Sequence, residues 1–326
     1  QSVNSDYMVI LIIASQSLWK YLITFGKIGI SINNMTDKRY TAVLATLFDS
    51  ASDATLDYAV SRHNIHKMVF LLSLIAGIGQ VAIGAFIGIE CTLAALPYVA
   101  LHGILILLGY ICFLKALKYT PIALIGLVQS SELFFTTIID CMLGYLTLST
   151  RFLALLSLFV FAIALFYINC IKNEKTSVKE VKPIGIILTL GTMFLYVVAT
   201  YLIKISAAYG ASEITLNLGY YVVALPYFGY LALKGKDDDT KDTSNPRWYN
   251  GFYFLAFAIG ILETIFYVLE TFSFINDTPT IVMAIKQMGI FVMFFLSVLF
   301  KTDKFTPQKL LALILGFVAI TGLYFS

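Results

Sequence analysis

Three aspartates, Asp49, Asp53 and Asp57, recur every four residues inside an otherwise apolar stretch. Four residues make slightly more than one helical turn, so a helix places all three on one stripe. Carboxylates converging on a cavity attract a cation, or repel one another enough to hold and pass protons. The competing reading is an amphipathic helix lying on a membrane surface with that stripe merely solvated. Glu263 and Glu270, seven residues apart, share a face of a second apolar stretch, and Glu132 stands in the middle of a third. Lys204 and Lys286 lie in two more and are natural counter-ions for these acids. Ionisable groups within apolar spans are costly, so each is a functional candidate. Lys204 and Glu270, nearer helix ends, read as structural pairs or snorkelling charges. Glu132, Glu263 and Lys286 read as cavity groups. Asp53, Asp57 and Glu263 are the candidates for proton or ion coupling.

Tyr196, Tyr201, Tyr220, Tyr221 and Tyr267 offer an aromatic cage of the kind that holds a quaternary ammonium. The chain has 20 tyrosines, however, and packing or interfacial anchoring accounts for most of them. His63 and His66 sit beside Arg62 and Lys67 and read as solvated loop charges, while His102 reads as a backbone-bonded histidine. Cys91, Cys112, Cys141 and Cys170 show neither disulfide nor metal-site spacing and read as small packing residues. The sequence contains no HExxH, nucleophile elbow, Walker A or dinucleotide fingerprint. It therefore predicts no catalytic residues, metal or cofactor.

These side chains need elements to carry them, and composition says which. The chain has 326 residues, 59% hydrophobic and 13% charged, against about 25% charged in soluble domains. Apolar runs of about 20 residues, enough to cross a bilayer as a helix, recur along nearly the whole length. The net charge of +3 says little about partners. The first residue is Gln, so the start is open to trimming, and residues 7–30 lack the basic n-region and cleavage site of a signal peptide.

Self-similarity organises these runs. A shift of 146 lays Leu44, Thr46, Phe48 and Leu56 on Leu190, Thr192, Phe194 and Leu202, and a shift of 158 lays Thr120-Pro121 on Thr278-Pro279 and Gln129 on Gln287. The same shift lays Arg151–Leu155 on Lys309–Leu313, and the offset changes where Lys236–Arg247 adds a polar loop. The expectation is an all-α polytopic membrane protein of two inverted five-helix repeats, a ten-span core, plus an extra N-terminal helix. The divisions are 1–36 for that helix, 37–171 for the first repeat, 172–182 for a linker and 183–326 for the second repeat. Spans are expected at 40–62, 68–89, 97–118, 121–146, 151–171, 184–208, 212–234, 249–275, 279–300 and 307–325. The first is contested, because three central aspartates cost roughly 8–10 kcal/mol to insert against about 3 recovered from its apolar residues. If 40–62 lies on the surface, 7–30 is the first span. Fifteen of the 22 basic residues follow odd-numbered core spans, which places the 172–182 linker in the cytoplasm and the C-terminus outside.

The stretch Ala116-Leu-Lys-Tyr-Thr-Pro-Ile-Ala123, closing one span and opening the next, resembles the EamA-type branch of the drug/metabolite transporter superfamily. Leu143-Gly-Tyr-Leu-Thr-Leu-Ser-Thr-Arg151 fits the same pattern, and Phe274-Ile-Asn-Asp-Thr-Pro279 and Phe300–Leu310 repeat it. The resemblance covers about residues 40–326 and signals fold better than substrate. The sequence departs from the family in its extra helix, its inverted core, and Ser149 and Thr150 where an acidic residue is common. The resemblance implies a central cavity at the fourth and ninth spans, so that Gln129 and Gln287 face a substrate across a pseudo-twofold; helix–helix hydrogen bonding explains them nearly as well.

The expected function is secondary transport of a small cationic or zwitterionic metabolite by alternating access, with protons as a candidate coupling ion. The cavity is expected between spans 1, 3, 4, 6, 8 and 9, with Asp49, Asp53, Gln129, Glu132, Tyr196, Tyr220, Glu263, Lys286 and Gln287 as its binding residues. The rivals are an organic-anion exchanger of the same fold, a membrane-embedded enzyme acting on a lipid or isoprenoid, and a non-transporting structural subunit. The expected partners are a small metabolite and the lipid bilayer, not nucleic acid, with the chain a monomer or homodimer in a plasma, inner or organellar membrane.

Overall fold

The computed structural model describes residues 39–60, 64–120, 122–147, 149–172, 182–234, 248–299 and 306–324. The helix expected over 7–30 lies outside the described residues. So do most of the 172–182 linker and the polar loop before Trp248.

Twelve helices, and no strand, make up the described residues. They are α1 (Arg39–Val60), α2 (Ile65–Ile87), α3 (Leu96–Tyr119), α4 (Ile122–Gln129), α5 (Glu132–Met142) and α6 (Thr150–Lys172). The rest are α7 (Pro183–Ala208), α8 (Glu213–Lys234), α9 (Trp248–Asn276), α10 (Pro279–Lys286), α11 (Gly289–Leu299) and α12 (Pro307–Tyr324). Local chemistry sets their ends. Pro183, Pro279 and Pro307 each open a helix, where a missing N–H costs nothing. Asn64 caps α2, its side chain accepting the N–H groups of His66 and Lys67 at 3.0 and 3.1 Å. Gly88 ends α2 at φ +98°, a backbone angle that disfavours any residue with a Cβ.

Six stretches are long and apolar enough to cross a membrane: Ile65–Ile87, Leu96–Tyr119, Pro183–Ala208, Glu213–Lys234, Gly251–Asn276 and Pro279–Leu296. Large apolar side chains cover the outside as well as the core, which a soluble globule avoids. Phe86, Phe194, Val222 and Leu233 face outward, whereas Thr46, Ser50, Gln80, Thr136, Asp140 and Asn217 are buried. Apolar side chains outside and polar ones inside suit a hydrocarbon solvent, where every polar group needs an internal partner.

The helices pack in matched pairs. α3 lies along α7 as α9 lies along α1; α3 also meets α8 as α9 meets α2; α2 meets α8, and α6 meets α12. Small residues permit the close crossings: a Cβ on Gly103 would run into the backbone of Gly219, and Thr192 of α7 donates to the Gly109 carbonyl of α3 at 3.2 Å. α1, the contested first span, is packed among other helices, though it is not among the stretches apolar enough to cross a membrane. Ala42, Ala45, Ser50, Ala54, Leu56, Asp57 and Ala59 are all at most 3% exposed, and the helix is packed by α9, α10 and α11. A helix lying on the membrane surface would bury one face only, so α1 belongs inside the bundle.

Candidate functional site

The fourth and ninth expected spans are each broken in the middle, where the sequence predicts continuous helices over 121–146 and 279–300. α4 stops at Gln129 and α5 starts at Glu132; α10 stops at Lys286 and α11 starts at Gly289. At both breaks the chain tightens into i→i+3 bonds. The N–H of Ser131 donates to Val128 at 3.1 Å and that of Leu133 to Ser130 at 3.3 Å; Met288 donates to Ile285 at 3.0 Å and Phe291 to Met288 at 3.1 Å. The Ser131 hydroxyl competes for the same Val128 carbonyl at 2.6 Å, a common cause of helix interruption. The local signals are Ser130-Ser131 and Gly289, weaker helix formers that tolerate a tight turn.

A cavity of about 110 Å³ opens between the breaks. All nine expected binding residues line it: Asp49 and Asp53 from α1, Gln129 and Glu132 at the first break, and Tyr196 from α7. Tyr220 comes from α8, Glu263 from α9, and Lys286 and Gln287 from the second break. The lining draws on the expected spans and adds α8, through Asn217 and Tyr220. Asp57 is buried at 3% exposure but does not line the cavity. Lys204 is absent from the lining as well; its charged neighbours are Asp140 and Asp277.

At one end of the cavity the Lys286 ammonium pairs with Glu270, stands 3.9 Å from the Asp49 carboxylate, and lies 5.3 Å from the Phe266 ring centre. Glu270, read from the sequence as a structural charge near a helix end, thus pairs within the cavity lining. At another point Tyr110 donates to Glu263 Oε1 at 3.1 Å, while Oε2 is buried with no hydrogen-bond partner among the described residues. Tyrosine rings surround it: Tyr220 lies 6.5 Å from Tyr110, 5.7 Å from Tyr267 and 4.8 Å from Tyr221. Tyr196 and Tyr267 line the cavity too, whereas Tyr201 is committed elsewhere, to Asp140 and the Thr136 carbonyl. In all, Asp49, Asp53, Glu132, Glu263 and Glu270 share the lining with one ammonium, that of Lys286. Such a lining favours a ligand that brings positive charge.

Three features escape a reading of the sequence. Tyr110 is one tyrosine among 20, and only the fold shows it on Glu263. Asn217 bridges helices, accepting from Thr271 at 2.8 Å and donating to Gln80 at 3.3 Å, while Gln80 donates to the Thr264 carbonyl at 3.0 Å. Asp140, eight residues after Glu132 and so on the same helical face, is wholly buried. His102 hydrogen-bonds to the Leu216 backbone as expected, and also borders the cavity.

Comparison with known proteins agrees with this build. A solved structure described as "Crystal structure of protein" superposes with a TM-score of 0.62 over 87% of this chain and 93% of that one. At 15% identity the likeness concerns the fold alone. No curated protein matches the sequence. The family model for the EamA-like transporter family matches residues 183–325, from the first residue of α7 through α12. Residues 183–325 thus match the EamA-like transporter family, part of the drug/metabolite transporter superfamily, and the helical, apolar-faced build around them is that of a multi-pass membrane protein.

Proposed function

We propose that the protein is a secondary transporter that carries a small cationic or zwitterionic metabolite through the cavity between α1, α3, α4–α5, α7, α8, α9 and α10–α11. The observation that carries this reading is the lining itself, five carboxylates to one ammonium, set between two broken helices. Broken helices bring their ends to a midplane site in many secondary carriers. The substrate leaves chemically unchanged. Asp49, Asp53, Glu132, Glu270 and Lys286 contact it, and Asp53 and Glu263 exchange the coupling proton.

In the same reading residues 37–171 and 183–326 are two five-helix repeats of opposite orientation, joined by the 172–182 linker. Three observations support it: the paired packing of α3 on α7 and α9 on α1, the breaks at Gln129 and Gln287, and the prolines before them. Alternating access is then a rocking of one repeat against the other around the cavity. The protein works as a monomer or homodimer in a plasma, inner or organellar membrane.

Uptake into proteoliposomes tests the reading, with amino acids, polyamines, choline, nucleosides and sugar phosphates as the panel and a pH gradient of either sign. The expected result is uptake of a cation or zwitterion that a proton gradient accelerates. Uptake of sugar phosphates alone overturns the substrate class, and uptake of nothing, with binding of nothing, overturns the transport reading.

A further inference from the structure

We infer that Lys286 is a tethered occupant of the cation subsite, and that it makes the cavity select zwitterions over simple amines. The inference rests on the transport reading above. The Lys286 ammonium is paired with Glu270, lies 3.9 Å from Asp49, faces Phe266 at 5.3 Å and has Glu132 as a further charged neighbour. Carboxylates from three helices and an aromatic face are the partners that any alkylammonium ligand seeks. Lys286 is also the last residue of α10, where the carbonyl end of the half-helix adds negative potential. The side chain is well shielded, 17% exposed against 13% for Glu270.

A ligand ammonium reaches Glu270 and Asp49 only by displacing this built-in one. The displaced Lys286 then loses Glu270 as its direct counter-ion in a shielded setting, which is costly. A ligand with a carboxylate supplies that counter-ion itself, so the exchange conserves ion pairs. A bare amine supplies none. Discrimination therefore comes from what Lys286 lacks after displacement, and Lys286 acts as a specificity-determining residue.

The experiment compares n-butylammonium with norvaline, the same chain bearing an α-carboxylate, on the wild type and on Lys286→Ala in detergent, by calorimetry and thermal unfolding. With the tether gone, butylammonium is expected to bind Lys286→Ala at least about tenfold more tightly than it binds the wild type and to raise its melting temperature, whereas norvaline loses its advantage. Equal butylammonium affinity in both proteins, alongside wild-type transport of some cation or zwitterion, overturns this inference and leaves the transport reading standing. Binding of no cation or zwitterion to the wild type overturns the transport reading as well. If Lys286→Ala does not fold, the Glu270→Gln, Lys286→Met double variant removes both charges together. It is expected to lose the preference for norvaline, and a ratio of affinities like that of the wild type overturns the inference.

Discussion

The carboxylate of Asp140, in the last turn of α5, accepts the backbone N–H of Thr280 in the first turn of α10 at 2.8 Å, across 140 residues of sequence. Tyr201 of α7 donates its hydroxyl to the other Asp140 oxygen at 2.9 Å. The first N–H groups of a helix have no partner within it, and a carboxylate there also meets the positive end of the helix dipole. α10 is thus capped by a residue from a different helix, which ties α5, α7 and α10 together at the end of the bundle where α10 begins.

Replacing Asp140 by Ala leaves the Thr280 N–H and the Tyr201 hydroxyl without this acceptor in a buried setting. The expected loss is about 2–3 kcal/mol of stability, and Tyr201→Phe, which spares the Thr280 contact, costs about 1 kcal/mol. Denaturant unfolding in detergent measures both. Equal losses would show that the tyrosine, not the helix cap, carries the stabilisation.

Glu263 holds one hydrogen bond, from Tyr110, and one unsatisfied oxygen. In the proposed role it exchanges the coupling proton. Glu263→Gln is then expected to abolish uphill uptake driven by a pH gradient while counterflow of the same substrate continues. Loss of both, in a protein that still folds, would make Glu263 a substrate contact instead.

Asp53 shares its neighbourhood with Asp49 and Glu263. A substrate present at a hundred times its dissociation constant adds about 2.7 kcal/mol to stability. Asp53→Asn is expected to remove most of that increment for cationic and zwitterionic compounds in a thermal-shift assay. An increment unchanged by the substitution would take Asp53 out of the site.

Gly289 opens α11 against α1, and a Cβ there would meet Ser50 and sit 3.1 Å from Thr46 Cγ2. Gly289→Val is expected to cost about 1–3 kcal/mol through overpacking and to slow transport by wedging α1 from the second break. Transport at the wild-type rate, measured on a folded Gly289→Val protein, would show that this contact does not move during the cycle.

Hydrophobic run length and proline placement made most of the architecture legible before any coordinates. The expected spans and observed helices agree to within about three residues at nearly every end, because an apolar run of bilayer length has little choice of structure. The acids of the cavity were legible for a related reason, since charge in an apolar run needs an internal partner. Partners were another matter. Distance from the helix end separates Lys204 from Lys286 in the sequence, but it does not name their partners: the first lies beside Asp140 and Asp277, and the second pairs with Glu270. Only helix rotation and tilt decide such things, and these depend on packing far away in the chain. The breaks escaped because a tight turn of two or three residues leaves the apolar run unbroken.

Those breaks have a mechanical consequence. A continuous helix transmits twist and tilt through its unbroken ladder of i→i+4 bonds, so bending one end moves the other. At Gln129 and Gln287 that ladder gives way to short i→i+3 bonds of poorer geometry. α4 and α5 can therefore lean separately, as can α10 and α11, and a strain applied at one membrane face is absorbed at mid-depth before it reaches the other. A ligand touching both glutamines spans the two points of slack and stiffens the linkage between the faces.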